Sequence, residues 1–260
     1  MEVLRPRTLA EALRLKAEQP ESVPIQGGTD VMVELNFDRV RPETLLNLNE
    51  VAELRGWSRQ NGTLWLGAGL TYAEATEPPL SEVLPALAEA SRTVGGPQIR
   101  NRGTIGGNLG TASPAGDALP PLLVSETKVQ LASVRGERWV PLEQFVVGPK
   151  RTVLAADELI VGVTVDAAES RQTFMKVGPR NAMVIAVVSL ALRVDGDLRA
   201  AFGSAGPVPT LVRAPLDDAD ALPERVVETA SPIDDVRGTA EYRRHALRVL
   251  TRRALERCLA

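Results

Sequence analysis

One cysteine and one histidine are all that this chain of 260 residues holds of those two metal-ligand types. Cys258 and His245 cannot by themselves complete a zinc, haem or iron–sulfur site, so any such chemistry belongs to another polypeptide. His245 has no nucleophile or base near it in sequence and reads as a surface or interface residue; Cys258 reads as packed and inert. Aromatic residues make up only 3% of the chain. No apolar run approaches the length that spans a bilayer, and the opening Met1-Glu2-Val3-Leu4-Arg5-Pro6 lacks the apolar region of a signal peptide, so a cytoplasmic protein is expected. The formal charge of −3 offers no global attraction to nucleic acid. Asp217, Asp218 and Asp220 suggest a solvated turn rather than a cation loop.

Glycine, in contrast, is concentrated. The stretch from Thr93 to Pro120, TVGGPQIRNRGTIGGNLGTASPAGDALP, holds hardly any bulky apolar side chain to draw it into a core, so a bound ligand is expected to hold it in place. Glycine permits positive φ and removes the Cβ that would keep a ligand at a distance, which lets successive backbone N–H groups converge on an anion. Thr104-Ile105-Gly106-Gly107-Asn108 has this character, and pyrophosphate is the expected guest. Asp117, after a Ser-Pro-Ala-Gly turn, is placed to accept hydrogen bonds from sugar or ribityl hydroxyls. A second loop, Gly27-Gly28-Thr29-Asp30, follows the short apolar segment Val23-Pro24-Ile25-Gln26 and precedes Val31, the strand-then-turn context in which amides are aimed at a phosphate. Neither loop is a Gly-x-Gly-x-x-Gly fingerprint, and no Walker lysine follows either.

These residues carry a resemblance. Gln98-Ile99-Arg100-Asn101-Arg102-Gly103-Thr104-Ile105-Gly106-Gly107-Asn108, with Ser113-Pro114-Ala115 and Asp117 downstream, closely resembles the FAD-binding (medium) subunit of the molybdenum hydroxylases, the family of the xanthine dehydrogenase and carbon monoxide dehydrogenase flavoprotein subunits. Gln26-Gly27-Gly28-Thr29-Asp30 is similar to that family's other FAD loop. The likeness runs from Arg5-Pro6-Arg7-Thr8 to Asp235-Val236-Arg237-Gly238. It implies an α+β chain: a two-subdomain FAD-binding fold of the vanillyl-alcohol-oxidase (PCMH) type over residues 1–57 and 58–170, then a small α/β C-terminal domain over 171–260. It implies FAD as the cofactor, contacted by Ile25 to Val31, by Thr104 to Asn108 and by Asp117. By spacing after Glu158, Leu159 and Lys176 align with residues that line or contact the flavin in relatives; read without the resemblance, Lys176 is an edge-strand residue with its amine in water. The implied partners are a molybdopterin-binding large subunit and a small subunit with 2Fe-2S clusters, in a dimer of heterotrimers, with NAD+, oxygen or another acceptor taking the electrons. No catalytic acid or base and no metal ligand is expected on this chain. Val94 stands where animal xanthine dehydrogenases carry phenylalanine, and no cysteine cluster adds a further iron–sulfur centre.

Local patterns supply the elements. Thr8-Leu9-Ala10-Glu11 fits a capping box opening a helix that Pro20 stops. Strands are predicted at Val23–Gln26, Leu45–Leu48, Thr63–Ala68, Lys128–Ser133 and Leu159–Val165. A helix capped by Thr71 and another over Leu84–Ala90 lead into the glycine stretch. Ala182 to Arg193 is a continuous apolar run, and Asp195-Gly196 marks a hairpin before a strand at Asp197–Phe202. Pro207 to Pro232 reads as irregular, and Thr239 to Leu259 as an amphipathic helix packing on a sheet or a neighbouring subunit. Two other functions compete. A stand-alone FAD oxidase would need its own catalytic residues, for which Tyr72, Tyr242 and His245 are a thin supply. A non-catalytic nucleotide-binding or interaction subunit would carry no flavin.

Overall fold

The computed structural model describes residues 1–60, 62–180 and 183–260, and its strands fall into three main sheets. The first is parallel, β1 (Glu2–Leu4), β2 (Val23–Ile25) and β3 (Thr44–Asn47), in the order β1-β3-β2. Helix α1 (Leu9–Glu18) crosses between β1 and β2. Its start is fixed by Thr8, whose hydroxyl accepts the Glu11 N–H at 3.2 Å, while the Glu11 carboxylate accepts the Arg7 N–H at 2.8 Å. Just past its end, the Lys16 ammonium donates to the carbonyls of Pro20 and Ser22, each at 2.6 Å. Strand β2 delivers the chain into the first glycine loop, and α2 (Val31–Asn36), with no buried residue, follows.

The second sheet is antiparallel. It contains β4 (Trp57–Gln60), β5 (Thr63–Gly67), β6 (Lys128–Ser133) and β7 (Gly136–Pro141); a small hairpin of β8 (Val146–Gly148) and β9 (Arg151–Thr152) precedes its remaining strand, β10 (Leu159–Asp166). The order is β4-β5-β10-β6-β7, which puts the two strands nearest the glycine loops, β5 and β10, side by side. Leu64, Leu66, Val129, Leu131, Val163 and Val165 alternate along these strands and are buried. They share a core with α3 (Leu80–Val83), α4 (Pro85–Thr93), α6 (Ile105–Thr111) and α7 (Leu119–Val124) of the link from β5 to β6; the short α5 (Pro97–Arg100) lies in the same link and buries no residue. Helix α8 (Leu142–Phe145) closes one end of that core.

The third sheet is a meander of β11 (Arg171–Val177), β12 (Val188–Val194), β13 (Asp197–Gly203) and β14 (Thr210–Pro215). Helices α9 (Leu222–Thr229) and α10 (Ala240–Leu259) pack on it through Val226, Leu247, Leu250 and Ala254. Glu89 on α4 joins this layer to the second: its carboxylate accepts from the Thr173 hydroxyl at 3.0 Å, the Phe174 N–H at 2.7 Å and Arg257 at 2.6 Å.

Four local expectations are corrected. The helix capped by Thr71 is a single 3₁₀ turn, Glu74–Thr76, because the preceding residues are spent pairing with the glycine stretch; Thr71 still accepts the Glu74 N–H. Pro207 to Pro232 is ordered as β14, a 3₁₀ segment and α9, since Val212, Ala214, Leu222 and Val226 reach the third core and Pro223 sits in the first turn of α9, where a missing N–H costs nothing. The apolar run becomes strand only from Val188; Ala182, its first residue, lies outside the described residues. The stretch from Thr93 to Pro120 is packed: Ile105, Leu109 and Ala112 are fully buried, and three helices form within it or begin there. Glycine makes that packing possible by allowing close backbone approach, which side-chain hydrophobicity does not report.

Candidate functional site

Between the first and second sheets lies a cavity of about 300 Å³, in the size class of small-ligand clefts. One wall is the end of β2 and the first glycine loop, contributing Ile25, Gln26, Gly27, Gly28, Thr29, Asp30 and Val31. The facing wall is the start of α6, with Thr104, Gly106, Gly107 and Asn108, backed by Leu159 at the start of β10. Three residues singled out from sequence are not on this wall. Ile105 is fully buried and anchors α6 in the core. Asp117 and Lys176 instead meet each other at 2.6 Å, with only 10% and 6% of their side chains exposed.

The two glycine loops differ in what their backbones have left to offer. In the second, the Ile105 N–H donates to Leu70 O at 2.9 Å, the Gly106 N–H to Ala68 O at 2.8 Å, and the Gly107 N–H to the Thr104 hydroxyl at 3.0 Å. All three amides are committed within the protein. In the first, the N–H groups of Gly27, Gly28, Thr29 and Asp30 have no acceptor among the described residues. Buried or cavity-lining amides without partners are costly unless something else accepts their hydrogens.

The glycines divide in the same way. A Cβ on Gly27 would sit 2.1 Å from the carbonyl oxygen of Arg102, and one on Gly106 2.6 Å from the Ala68 Cβ, so these two are glycine because another backbone occupies the space. Gly28 has φ +75°, and a Cβ on Gly107 would meet only the Thr104 hydroxyl, at 3.1 Å. Both line the cavity, and neither has another backbone in the place of a Cβ, which at Gly28 would meet only the Ile25 and Met32 side chains, at 3.4 and 3.5 Å.

Three buried polar atoms around the cleft have no hydrogen-bond partner: Gln26 Nε2, Asn108 Oδ1 and Asp117 Oδ1. Asp117's other oxygen holds Lys176, whose ammonium also reaches the Thr93 carbonyl at 3.4 Å. Burial raises the Asp117 carboxyl above its ordinary range, and the Lys176 charge and hydrogen bond oppose that rise. The lysine therefore holds its amine away from water, contrary to the edge-strand expectation, although β11 is an edge strand.

Sequence reasoning missed Tyr72. Its backbone pairs with Gly103, its ring lies against the Gly103 backbone, and it lines the cavity while only 5% exposed. Burial, then the nearby charges of Asp117 and Asp30, push the phenol far up, so it stays neutral. Ile160, Leu154 and Thr111 also line the cleft, and the Thr111 hydroxyl donates to Asp30 at 2.9 Å, tying the two walls. No local signal marks Tyr72, because its place depends on the bridge between Thr71 and Thr104, residues far apart in sequence.

Residues 1–166 match the family described as the FAD binding domain in molybdopterin dehydrogenase. The chain belongs to that family. It is 31% identical to the xanthine dehydrogenase FAD-binding subunit of Escherichia coli, across 98% of this chain and 95% of that protein. It is 35% identical to the nicotinate dehydrogenase FAD-subunit of Eubacterium barkeri, over 75% of this chain and 69% of that one. Among solved structures, a chain of carbon monoxide dehydrogenase from Hydrogenophaga pseudoflava superposes with a TM-score of 0.92 at 25% identity, covering 100% of this chain and 97% of that one. Quinoline 2-oxidoreductase from Pseudomonas putida superposes at 0.91, also at 25% identity, over 99% and 96%. The molecule is thus an oxidoreductase flavoprotein subunit with a PCMH-type FAD-binding fold, and FAD is its cofactor. The unpartnered amides of the first loop and the orphaned Gln26, Asn108 and Asp117 atoms fit such a cofactor, which brings both anionic and hydroxyl groups. No described helix is long and apolar enough to cross a membrane, and no group of three potential metal ligands occurs among the described residues.

Proposed function

We propose that this chain is the electron-transfer flavoprotein of a molybdenum hydroxylase, receiving electrons from 2Fe-2S clusters on a small subunit and passing them to NAD+, oxygen or another acceptor. The observation that carries the assignment of the site is the row of four unpartnered N–H groups from Gly27 to Asp30, all on residues that line the cleft. Bound FAD supplies the redox chemistry, accepting electrons from one partner and releasing them to another.

The chain's own residues bind and orient. Gly27 to Asp30 donate to the pyrophosphate, with Gly107 lining the facing wall of the cleft. Tyr72, Leu159 and Ile160 exclude water from the cleft, and Gln26 and Asn108 offer their free polar atoms. Asp117 Oδ1 accepts a hydroxyl on the sugar or ribityl side, while Lys176, paired with the other oxygen, fixes the orientation of that carboxylate. The lobes at 1–57, 58–170 and 171–260 then have separate tasks: the first supplies free amides, the second close contact, the third the lysine. A molybdopterin-binding large subunit oxidises the substrate in this reading, within a dimer of heterotrimers.

The test is to purify the chain with its natural neighbours and record the absorption spectrum, then repeat with Gly107→Val. FAD absorbance that is lost in a variant still folded by circular dichroism supports the site. A colourless wild-type protein, or a variant that keeps its flavin, refutes it. Anaerobic reduction followed by mixing with NAD+ or oxygen identifies the acceptor.

A further inference from the structure

Arg102 lies outside the cleft and touches the first glycine loop from behind. Its guanidinium donates to the Gln26 carbonyl at 3.1 Å and to the Asn49 side-chain oxygen at 3.3 Å. Asn49 is itself fixed, its side-chain amide donating to Asn47 Oδ1 at 2.7 Å. The side chain is exposed and has no carboxylate within ion-pair distance among the described residues, so its positive charge is not neutralised by the protein. The backbone of the same residue is the surface on which Gly27 packs.

The peptide joining Gln26 to Gly27 connects this arginine to the cleft. A trans peptide is planar, with its C=O and N–H pointing in opposite directions. Because the Gln26 oxygen is turned toward Arg102, the Gly27 N–H of the same unit is turned away from it. That N–H has no protein acceptor, and Gly27 lines the cavity. A cation at the oxygen end polarises the unit and strengthens donation at its nitrogen end, as in any hydrogen-bonded chain whose terminus is charged.

Resting on the FAD reading of the cleft, we propose that Arg102 is a positioning residue for the diphosphate: acting through the Gln26–Gly27 peptide, it fixes the first amide of the cradle and adds unneutralised positive charge behind it. Nothing in the arrangement requires Arg102 to touch the cofactor. Its contribution is specific to ligands that carry the diphosphate.

The test uses the full chain, with any subunits that copurify, freed of flavin by dialysis at high salt and titrated with FAD and, separately, with ADP. Arg102→Gln is expected to weaken both ligands about tenfold or more, the scale of one charge-assisted hydrogen bond, and to flatten the dependence of affinity on salt. Arg102→Lys keeps the charge and is expected to recover part of the loss and the salt dependence, with an unchanged melting temperature for both variants. Wild-type affinity in Arg102→Gln overturns the inference and leaves the flavin reading standing. Equal losses in both variants, accompanied by a lowered melting temperature, reduce Arg102 to a structural link and overturn it as well. A wild-type chain that binds ADP but not FAD sinks the proposed function, and the Arg102 effect on ADP still decides this point. Binding of neither ligand overturns both.

Discussion

The two glycine loops share a composition and divide the labour. The loop after β2 keeps its amides free, whereas the turn at the start of α6 has spent its amides on Ala68, Leu70 and Thr104. Each loop has one glycine that admits another backbone, Gly27 or Gly106, and one that lines the cleft with no backbone in the place of a Cβ, Gly28 or Gly107. A Gly-Gly pair is thus two requirements written with the same letter: the first wall is a donor array, and the second a rigid, close-fitting back plate.

The strongest perturbation of this arrangement is at Lys176 on β11, the partner of Asp117. Lys176→Met leaves Asp117 buried without its cation and is expected to cost about 3–5 kcal/mol at neutral pH by denaturant unfolding. The pH dependence has a defined sign. A carboxyl whose folded pKa is raised favours folding below its unfolded pKa and loses that contribution as pH rises through the folded value. The Lys176→Met deficit should therefore shrink on acidification, and Asp117→Asn in the same background should remove most of the pH dependence. A deficit that grows in acid contradicts the buried-pair account.

The packing glycines come next. Gly27→Ala and Gly106→Ala force a Cβ to within 2.1 Å and 2.6 Å of other atoms. Each should destabilise by about 1–3 kcal/mol or more, the range of overpacked cores, as read by thermal or urea unfolding. Flavin loss in these variants would not separate binding from folding. Gly28→Ala should cost about 1–2 kcal/mol for a left-handed backbone, with flavin affinity falling alongside. Gly107→Ala should leave stability nearly unchanged while weakening FAD, measured by flavin fluorescence on titration; that contrast with Gly106→Ala is the sharpest check of the division. Thr104→Val removes the cap of α6 at about 1 kcal/mol and exposes the Gly107 amide, which should be seen in the unfolding midpoint.

Much of the scaffold was legible because its signals are local. The capping residue Thr8, the alternation in Thr63–Gly67 and Lys128–Ser133, and the hairpin at Asp195-Gly196, where Gly196 has φ +71°, depend on neighbours within a few residues. The irregular reading of Pro207 to Pro232 failed because Leu222, Val226 and Val227 acquire meaning only against α10. Tyr72 stayed hidden for a similar reason: one aromatic in a short turn has no period to betray which side it faces.

By itself, then, the sequence determined the family, the order of most strands and helices, and the two loops where backbone would be bare, since each is written in residue type and spacing along the chain. Only the tertiary structure decided which of those bare amides remain available, that Asp117 and Lys176 answer each other across 2.6 Å, and that Arg102 stands behind Gln26. The physical reason is that a hydrogen bond is settled between atoms in space: the acceptors that occupy the Ile105 and Gly106 amides belong to Leu70 and Ala68, and no spacing along the chain announces that they will be there.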